Sequence, residues 1–420
     1  MAAGDLDQPA DEHDRHRAAT GHGARSHPAP AGLYRTGAGR ALAIAVGLLF
    51  VLTIGGLVAL WPGEPRSELS LGEPSLAATV VASDTVACGP VDQPCRRLRV
   101  RVDEGPDSGR IRTITLGPVE LTADPAAGAK VRVTRNTGAP PEGATGLAAE
   151  RYSFSDFDRR SSLLWLAIAF AILAVALTRW RGALAIVGVA LSMLLITAFL
   201  IPALLSGSSP LLVSLVGALA VMFVTLGLTN GVGAQSLAAA LGIAVSLLLA
   251  TGLGYLVLEL AHLDGRSSEF APILNQASDG GLSLQGVLLA GMVVGALGVL
   301  ADMGVSQASA VMALRRANPA YGMRELYAGA FAVGRDHLSA TIHTLVLAYV
   351  GATLPLLLIV QSASVGLGEA VNTTELAEPV VATLIGCIGL VAAVPLTTGL
   401  AALLVSRVPA ATLPEHGHVH

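Results

Sequence analysis

Eight predominantly apolar stretches recur along this 420-residue chain, each about as long as a membrane-crossing helix. They cover about 41–61, 162–178, 183–201, 210–228, 236–260, 284–310, 338–360 and 380–405. Hydrocarbon offers backbone groups no hydrogen bonds, so a spanning segment is either a helix of about 20 apolar residues or part of a closed barrel. Composition agrees with helices: 53% of residues are hydrophobic and 13% charged, against roughly 25% charged in soluble domains. The pattern predicts an all-α polytopic membrane protein with eight transmembrane helices and the lipid bilayer as its first partner. A formal net charge of −4 argues against a nucleic-acid partner.

One long segment breaks the apolar pattern. Between the first and second runs, residues 62–160 contain ATVVAS (78–83), RRLRVRV (96–102), RIRTITL (110–116) and KVRVTR (130–135). These are alternating, β-branched and separated by turn residues, which predicts a small β domain, a partly open barrel, between helices 1 and 2. Cys88 and Cys95 lie within it as a candidate disulfide, available if the domain faces an oxidising compartment; two free thiols are the alternative. Residues 1–40 are polar, lack apolar periodicity and read as a disordered tail. The first run follows too many residues and lacks a nearby small-residue cleavage site, so it reads as a retained anchor rather than a signal peptide.

Arginines set the expected orientation. Arg35, Arg40, Arg179, Arg181, Arg315, Arg316, Arg324, Arg335 and Arg407 all fall on one side of the eight-span arrangement, whereas the opposite loops carry Arg266 among six acids. The positive-inside rule makes the arginine side cytoplasmic. Both termini are then inside the cytoplasmic (inner) membrane of a bacterium, with the β domain outside. The tail 407–420 ends in His416, His418 and His420, a weak metal-binding candidate together with His13, His16, His22 and His27 of the first tail on the same side.

Asp302 stands inside the sixth run, where an ionised group costs about 2.5–3.5 kcal/mol or more unless paired. Helical steps of three and four place Gly291, Gly295, Gly298, Asp302, Ser306 and Ser309 on one face. The glycines would admit a neighbouring backbone closely, and Asp302 is expected to face the bundle interior. The seventh run carries His337, Thr341, Thr344, Ala348, Gly351 and Pro355 as a similar stripe, with His343 beside it. Asp302, Ser306, Thr341, His343 and Thr344 are therefore the ion- or proton-coupling candidates, since carboxylate and imidazole chains line proton pathways. The competing reading makes Asp302, about nineteen residues into its helix, a helix-end structural carboxylate that reaches cytoplasmic water or pairs with Arg315 or Arg335. Between these runs, Met323, Leu326, Tyr327, Ala330, Phe331 and Gly334 recur at helical spacing and predict an amphipathic inner-surface helix over about 319–335. No nucleophile–base constellation, phosphate-cradling loop or nucleotide motif is present, so neither an enzyme nor a cofactor is expected.

Several stretches together resemble one family. DFDRR (156–160) leads into a helix closed by RWRGALA (179–185). IPALLSG (201–207), TNGVGAQSLAAALG (229–242), GALGVLADMGVSQASAV (295–311) and GRDHLSATIHTLVLAYVGATLP (334–355) follow in order. The whole is similar to the YibE/F family of bacterial membrane proteins over about residues 75–405. That resemblance implies eight spans in the inner membrane and an activity usually taken as transport. A second likeness is confined to LADMGVSQASAV and TIHTLVLAYVG, which resemble the Asp-bearing and Thr-bearing helix pair of the resistance-nodulation-division superfamily. There the pair relays protons. Asp302 matches the acidic position, and Thr341 and Thr344 roughly match the polar ones. The chain departs in having two extra spans and a smaller external domain.

The expected function is a secondary or ion-coupled transporter of an unidentified solute, with Asp302 as its proton-responsive group. The alternative is a non-transporting assembly or sensory protein whose external β domain binds a protein partner.

Overall fold

The structure is a computed structural model that describes residues 37–63, 74–88, 91–136, 151–266, 270–278 and 281–407. The polar tails read at 1–40 and 407–420, including His416, His418 and His420, lie almost wholly outside the described residues. Residues 37–40 form the first turn of a helix instead.

Among the described residues, seven helical segments are long and apolar enough to cross a membrane. They are α1 (Gly37–Ala59), α2 (Arg160–Thr178), Trp180–Leu205, α5 (Pro210–Asn230), α6 (Ala234–Leu260), α8 (Leu284–Ala317) and α12 (Thr374–Val405). Trp180–Leu205 comprises α3 (Trp180–Leu195), a π-helical turn (Ile196–Leu200) and α4 (Ile201–Leu205). Pro202 has no N–H for the carbonyl four residues back, and the turn before it widens accordingly. Two short helices, α7 (Ala271–Ala277) and α11 (Leu367–Val371), precede α8 and α12.

The remaining apolar run departs from a simple span. One helix, α9 (Met323–Ala352), bends by 62° into α10 (Leu354–Ser362). Pro355 sits in the first turn of α10 and cannot continue the ladder of α9. At the break the Tyr349 carbonyl accepts both the Thr353 N–H and the Thr353 hydroxyl, each at 3.0 Å. The separate amphipathic helix expected over about 319–335 is therefore corrected: it is the first half of α9. Nothing between Gly334 and Leu338 breaks a helix strongly enough to divide the two.

The bundle centres on α6, α8 and α12, with α9 laid across α8 and α12. Small residues repeat on their buried faces: Ala239, Gly242, Ser246 and Ala250 on α6, and Gly389, Ala393, Thr397 and Ala401 on α12. A Cβ added to Gly242 would lie 2.9 Å from the Thr397 Cα, so α6 and α12 meet almost backbone to backbone. On α8, Gly304 receives the Ile243 side chain in the same way. Since leaving lipid gains an apolar side chain little, such close contact is what holds spanning helices together.

The β domain is an antiparallel sheet of β1 (Leu76–Cys88), β2 (Val91–Val102), β3 (Ile111–Pro118), β4 (Lys130–Arg135) and β5 (Tyr152–Phe157). Its order is β3-β2-β1-β4-β5. The outer strands β3 and β5 touch without pairing, so the sheet curls into a partly open barrel. Ala78, Val80, Leu98, Val100, Val102, Ile114, Val131, Val133 and Tyr152 fill its core, drawn from strands alone. Cys95 is buried and disulfide-bonded, while the Cys88 side chain lies outside the described residues. At one edge the buried Tyr152 hydroxyl donates to Asp107 at 2.8 Å, and Arg112 and Arg110 donate to the same carboxylate at 2.9 and 3.2 Å. These donors, Tyr152 first, hold the Asp107 carboxyl below its ordinary range.

Two outcomes are expected. Gly242→Val forces α6 from α12 and lowers the stability of the detergent-solubilised protein by about 1–3 kcal/mol. Gly252→Ala, on the same helix with open space around it, leaves the thermal midpoint nearly unchanged. For the β domain, the folded-state shift of Asp107 is downward, so its stabilisation is full above the ordinary carboxylate range. It is lost as pH falls through the folded value. Acid titration of thermal unfolding shows this loss in the wild type and a smaller one in Tyr152→Phe.

Candidate functional site

Helix α8 turns its bulky residues inward. Leu289, Val293, Leu297, Leu300 and Val311 are buried in the core shared with α6 and α12, and Met303 is buried against Leu390 and Val394 of α12 and the flank of α9. The face shared by Gly291, Gly295, Gly298 and Asp302 is left on the outside of the single chain, with Ser306 half-buried at its edge. The expectation that Asp302 faces the bundle interior is thereby corrected: its side chain is 68% exposed. Helical spacing groups these residues on one face, but the larger side chains opposite take the core contacts.

Helix α9 supplies the nearest partner of Asp302. His337 Nε2 lies 3.8 Å from Asp302 Oδ2, and the imidazole is 44% exposed. His337 stands one turn before Thr341, a spacing that placed it on the polar stripe. The other candidates sit further along α9 and turn inward upon its backbone. Thr341 donates to the His337 carbonyl at 2.9 Å and Thr344 to the Ala340 carbonyl at 3.0 Å. His343 Nδ1 lies 2.7 Å from the Ser339 carbonyl. His343 and Thr344 are exposed and Thr341 is half-buried. The structure thus joins Asp302 to His337 rather than to Thr341, His343 or Thr344.

Neither arginine proposed as a structural counter-charge pairs with Asp302 here. Arg315 donates to the carbonyls of Pro319 and Tyr321, both at 2.6 Å, and to that of Ser406 at 3.5 Å. It closes the α8–α9 loop and ties it to the end of α12. Tyr349 of α9 lies over the glycine face, its hydroxyl 3.5 Å from where a Gly295 Cβ would stand. Gly291 and Gly298 meet nothing within 4 Å at that position.

On α8, five residues beyond Asp302, is a buried polar contact that spacing alone did not single out. Gln307, 1% exposed, accepts a hydrogen bond at 2.8 Å from the Thr398 hydroxyl, itself fully buried on α12. The Gln307 carboxamide lies flat on α9, its Cδ 2.7 Å from a Cβ added to Gly334. Gln307 therefore connects α8, α9 and α12 one helical turn from Asp302. The signal for Thr398 was a Thr-Thr pair inside an apolar run, where a buried hydroxyl needs a partner. A second cross-link joins two conspicuous sequence stretches: Gln235 Nε2 at the start of α6 donates to the Ser309 hydroxyl at 2.5 Å.

At the opposite end of the bundle, Gln285 donates to Glu259 at 3.4 Å. Glu378 of α12 has one carboxylate oxygen buried without a hydrogen-bond partner among the described residues.

Comparison with known proteins adds one finding. The family model described as YibE/F-like protein matches residues 166–407. The match begins inside α2, covers the whole bundle from there and leaves the β domain ahead of it. No curated protein and no solved structure matches the chain.

Thr398→Val is expected to strand the Gln307 carbonyl and lower the stability of the bundle by about 0.6–2 kcal/mol. Unfolding of the solubilised protein in graded denaturing detergent measures the loss.

Proposed function

The chain belongs to the YibE/F-like family of membrane proteins, and from that premise we propose that it is a secondary or ion-coupled transporter. The observation that carries the proposal is the Asp302–His337 pair, an acid and a base 3.8 Å apart on α8, a helix of crossing length, and on α9, which is apolar enough to cross only together with α10. Either partner accepts a proton, and gaining one changes the attraction between α8 and α9 at that point. A proton-responsive contact between moving helices is what couples an ion gradient to a second solute. No catalytic role and no cofactor enter this reading. Without a nucleotide motif, the energy source is a gradient or a partner.

The same reading takes α9 and α10 as one broken crossing, which makes eight crossings. The arginines of the α2–α3 and α8–α9 connections then lie on the cytoplasmic side of a bacterial inner membrane, with both termini. The β domain faces outward. Its independent strand-built core favours one further role, recognition of a protein partner, which is the whole function if no transport occurs.

Proteoliposomes with a pH-sensitive dye inside provide the test. Wild-type protein is expected to pass protons down an imposed gradient, and Asp302→Asn and His337→Gln to abolish that flux while keeping the fold. Flux in either variant equal to that of the wild type overturns the assignment of the pair.

A further inference from the structure

We infer that the open edge of β1 over Val81–Ala87 takes up an extended, acidic segment of a partner protein as a further strand of the sheet. The inference rests on the reading that the β domain recognises a protein partner, and it names the place and the kind of contact.

Unequal strand lengths create the edge. On one side β1 pairs with β2 from Ala78, opposite Val102, to Cys88, opposite Val91. On the other side β4 covers only Leu76–Thr79, and Val80 completes that contact through hydrogen bonds with Gly128 and Ala129. Val81–Ala87, about 20 Å of strand, has no backbone partner on that side among the described residues. Such a strand directs alternate pairs of N–H and C=O groups outward, a template for another chain. The outer edges of β3 and β5 lie against each other instead, which leaves the β1 overhang as the accessible one. It is also held in place. Cys95, opposite Val86, is buried and disulfide-bonded. Arg96 donates to the Ser83 hydroxyl at 3.4 Å and to Asp124 of the β3–β4 connection. A preformed edge loses little freedom when a strand is added to it.

Charge selects the occupant. Arg97 and Arg99 are exposed on β2, opposite Asp84 and Ala82 of β1. Asp84, 3.6 Å from Arg99, is the single acid of this group. Ala82 is too short to screen Arg99 from a strand laid beside β1, so a carboxylate placed across from Ala82 comes within reach of the guanidinium. Opposite charges on neighbouring strands stabilise the pairing, and like charges directly opposite oppose it. A second copy of this chain brings the same surplus of arginine. Pairing its Val81–Ala87 with this one about their common centre also sets Asp84 against Asp84.

Full-length protein in nanodiscs provides the test, with a synthetic peptide of alternating Thr and Glu, matched in length to Val81–Ala87, as the probe. The peptide is expected to slow amide hydrogen exchange within Val81–Ala87. Its alternately N-methylated form, which cannot complete the ladder, and a Thr-Lys peptide are expected to leave that exchange unchanged. Arg99→Gln is expected to weaken binding of the Thr-Glu peptide by about 1.4- to fivefold, the range for one cross-strand charge pair. Unchanged exchange within Val81–Ala87 overturns the inference, as do equal slowing by the methylated or Thr-Lys peptide and slowing confined to Leu76–Thr79, where the probe would be displacing β4. Photo-cross-linking in cells, with the reactive group at Thr85 or at Thr113 on the exposed face of β3, separates this inference from the broader reading. Adducts through Thr113 alone overturn the β1 edge and keep partner recognition by the domain. Adducts through neither position remove the recognition reading and this inference with it.

Discussion

In a bilayer the hydrophobic effect has already acted before helices meet, because a leucine in lipid and a leucine in a bundle are equally dry. What then decides the arrangement is how closely two backbones approach and which polar groups find partners. Gly242 against Thr397 is where this constraint is tightest, and α6, α8 and α12 are placed by it. The remaining helices are added around that trio: α5 beside α6 and α8, α9 across α8 and α12, and α2 chiefly against α3. The Gln307–Thr398 hydrogen bond matters for the same reason. A buried amide without a partner is costly in such surroundings, so this contact selects one register of α8 against α12 over neighbouring ones.

Much of this was legible in the residues. The apolar runs and their lengths located the helices, and alternation located four of the five strands. Strand β5 was missed because Tyr152–Phe157 alternates aromatic residues with Ser and Asp and adjoins a helix start; it looked like a lead-in to α2. The break after Ala352 was readable from Pro355, but the continuity of α9 through Arg335, Asp336 and His337 was not. Three consecutive polar residues suggested an exit from the membrane rather than the middle of one helix.

The candidate site divides similarly. Spacing showed that Gly291, Gly295, Gly298 and Asp302 share a face, and the family motifs pointed to the same region. The direction of that face was not legible. In a soluble helix the polar side is the outer one, whereas in a membrane helix both sides are apolar and small residues occur at core and periphery alike. Only the packing of Leu297, Leu300 and Met303 against neighbouring helices resolves the direction. The β domain, surrounded by water, presents no such ambiguity, and its buried Val and Ile positions follow the alternation directly.

The continuity of α9 has a mechanical consequence. Leu326, Ala330 and Gly334 are its buried residues, all within its first half, and the stretch from Gly334 to Ala352 rises about 27 Å at helical pitch. Beyond Gly334, Leu338 and Ile342 pack on Met303, Leu390 and Val394, Leu345 lies over Gly386 and Tyr349 over Gly295. A rod held along both halves moves as one body, so a displacement at His337 is carried to the bend into α10, about 22 Å further along the axis.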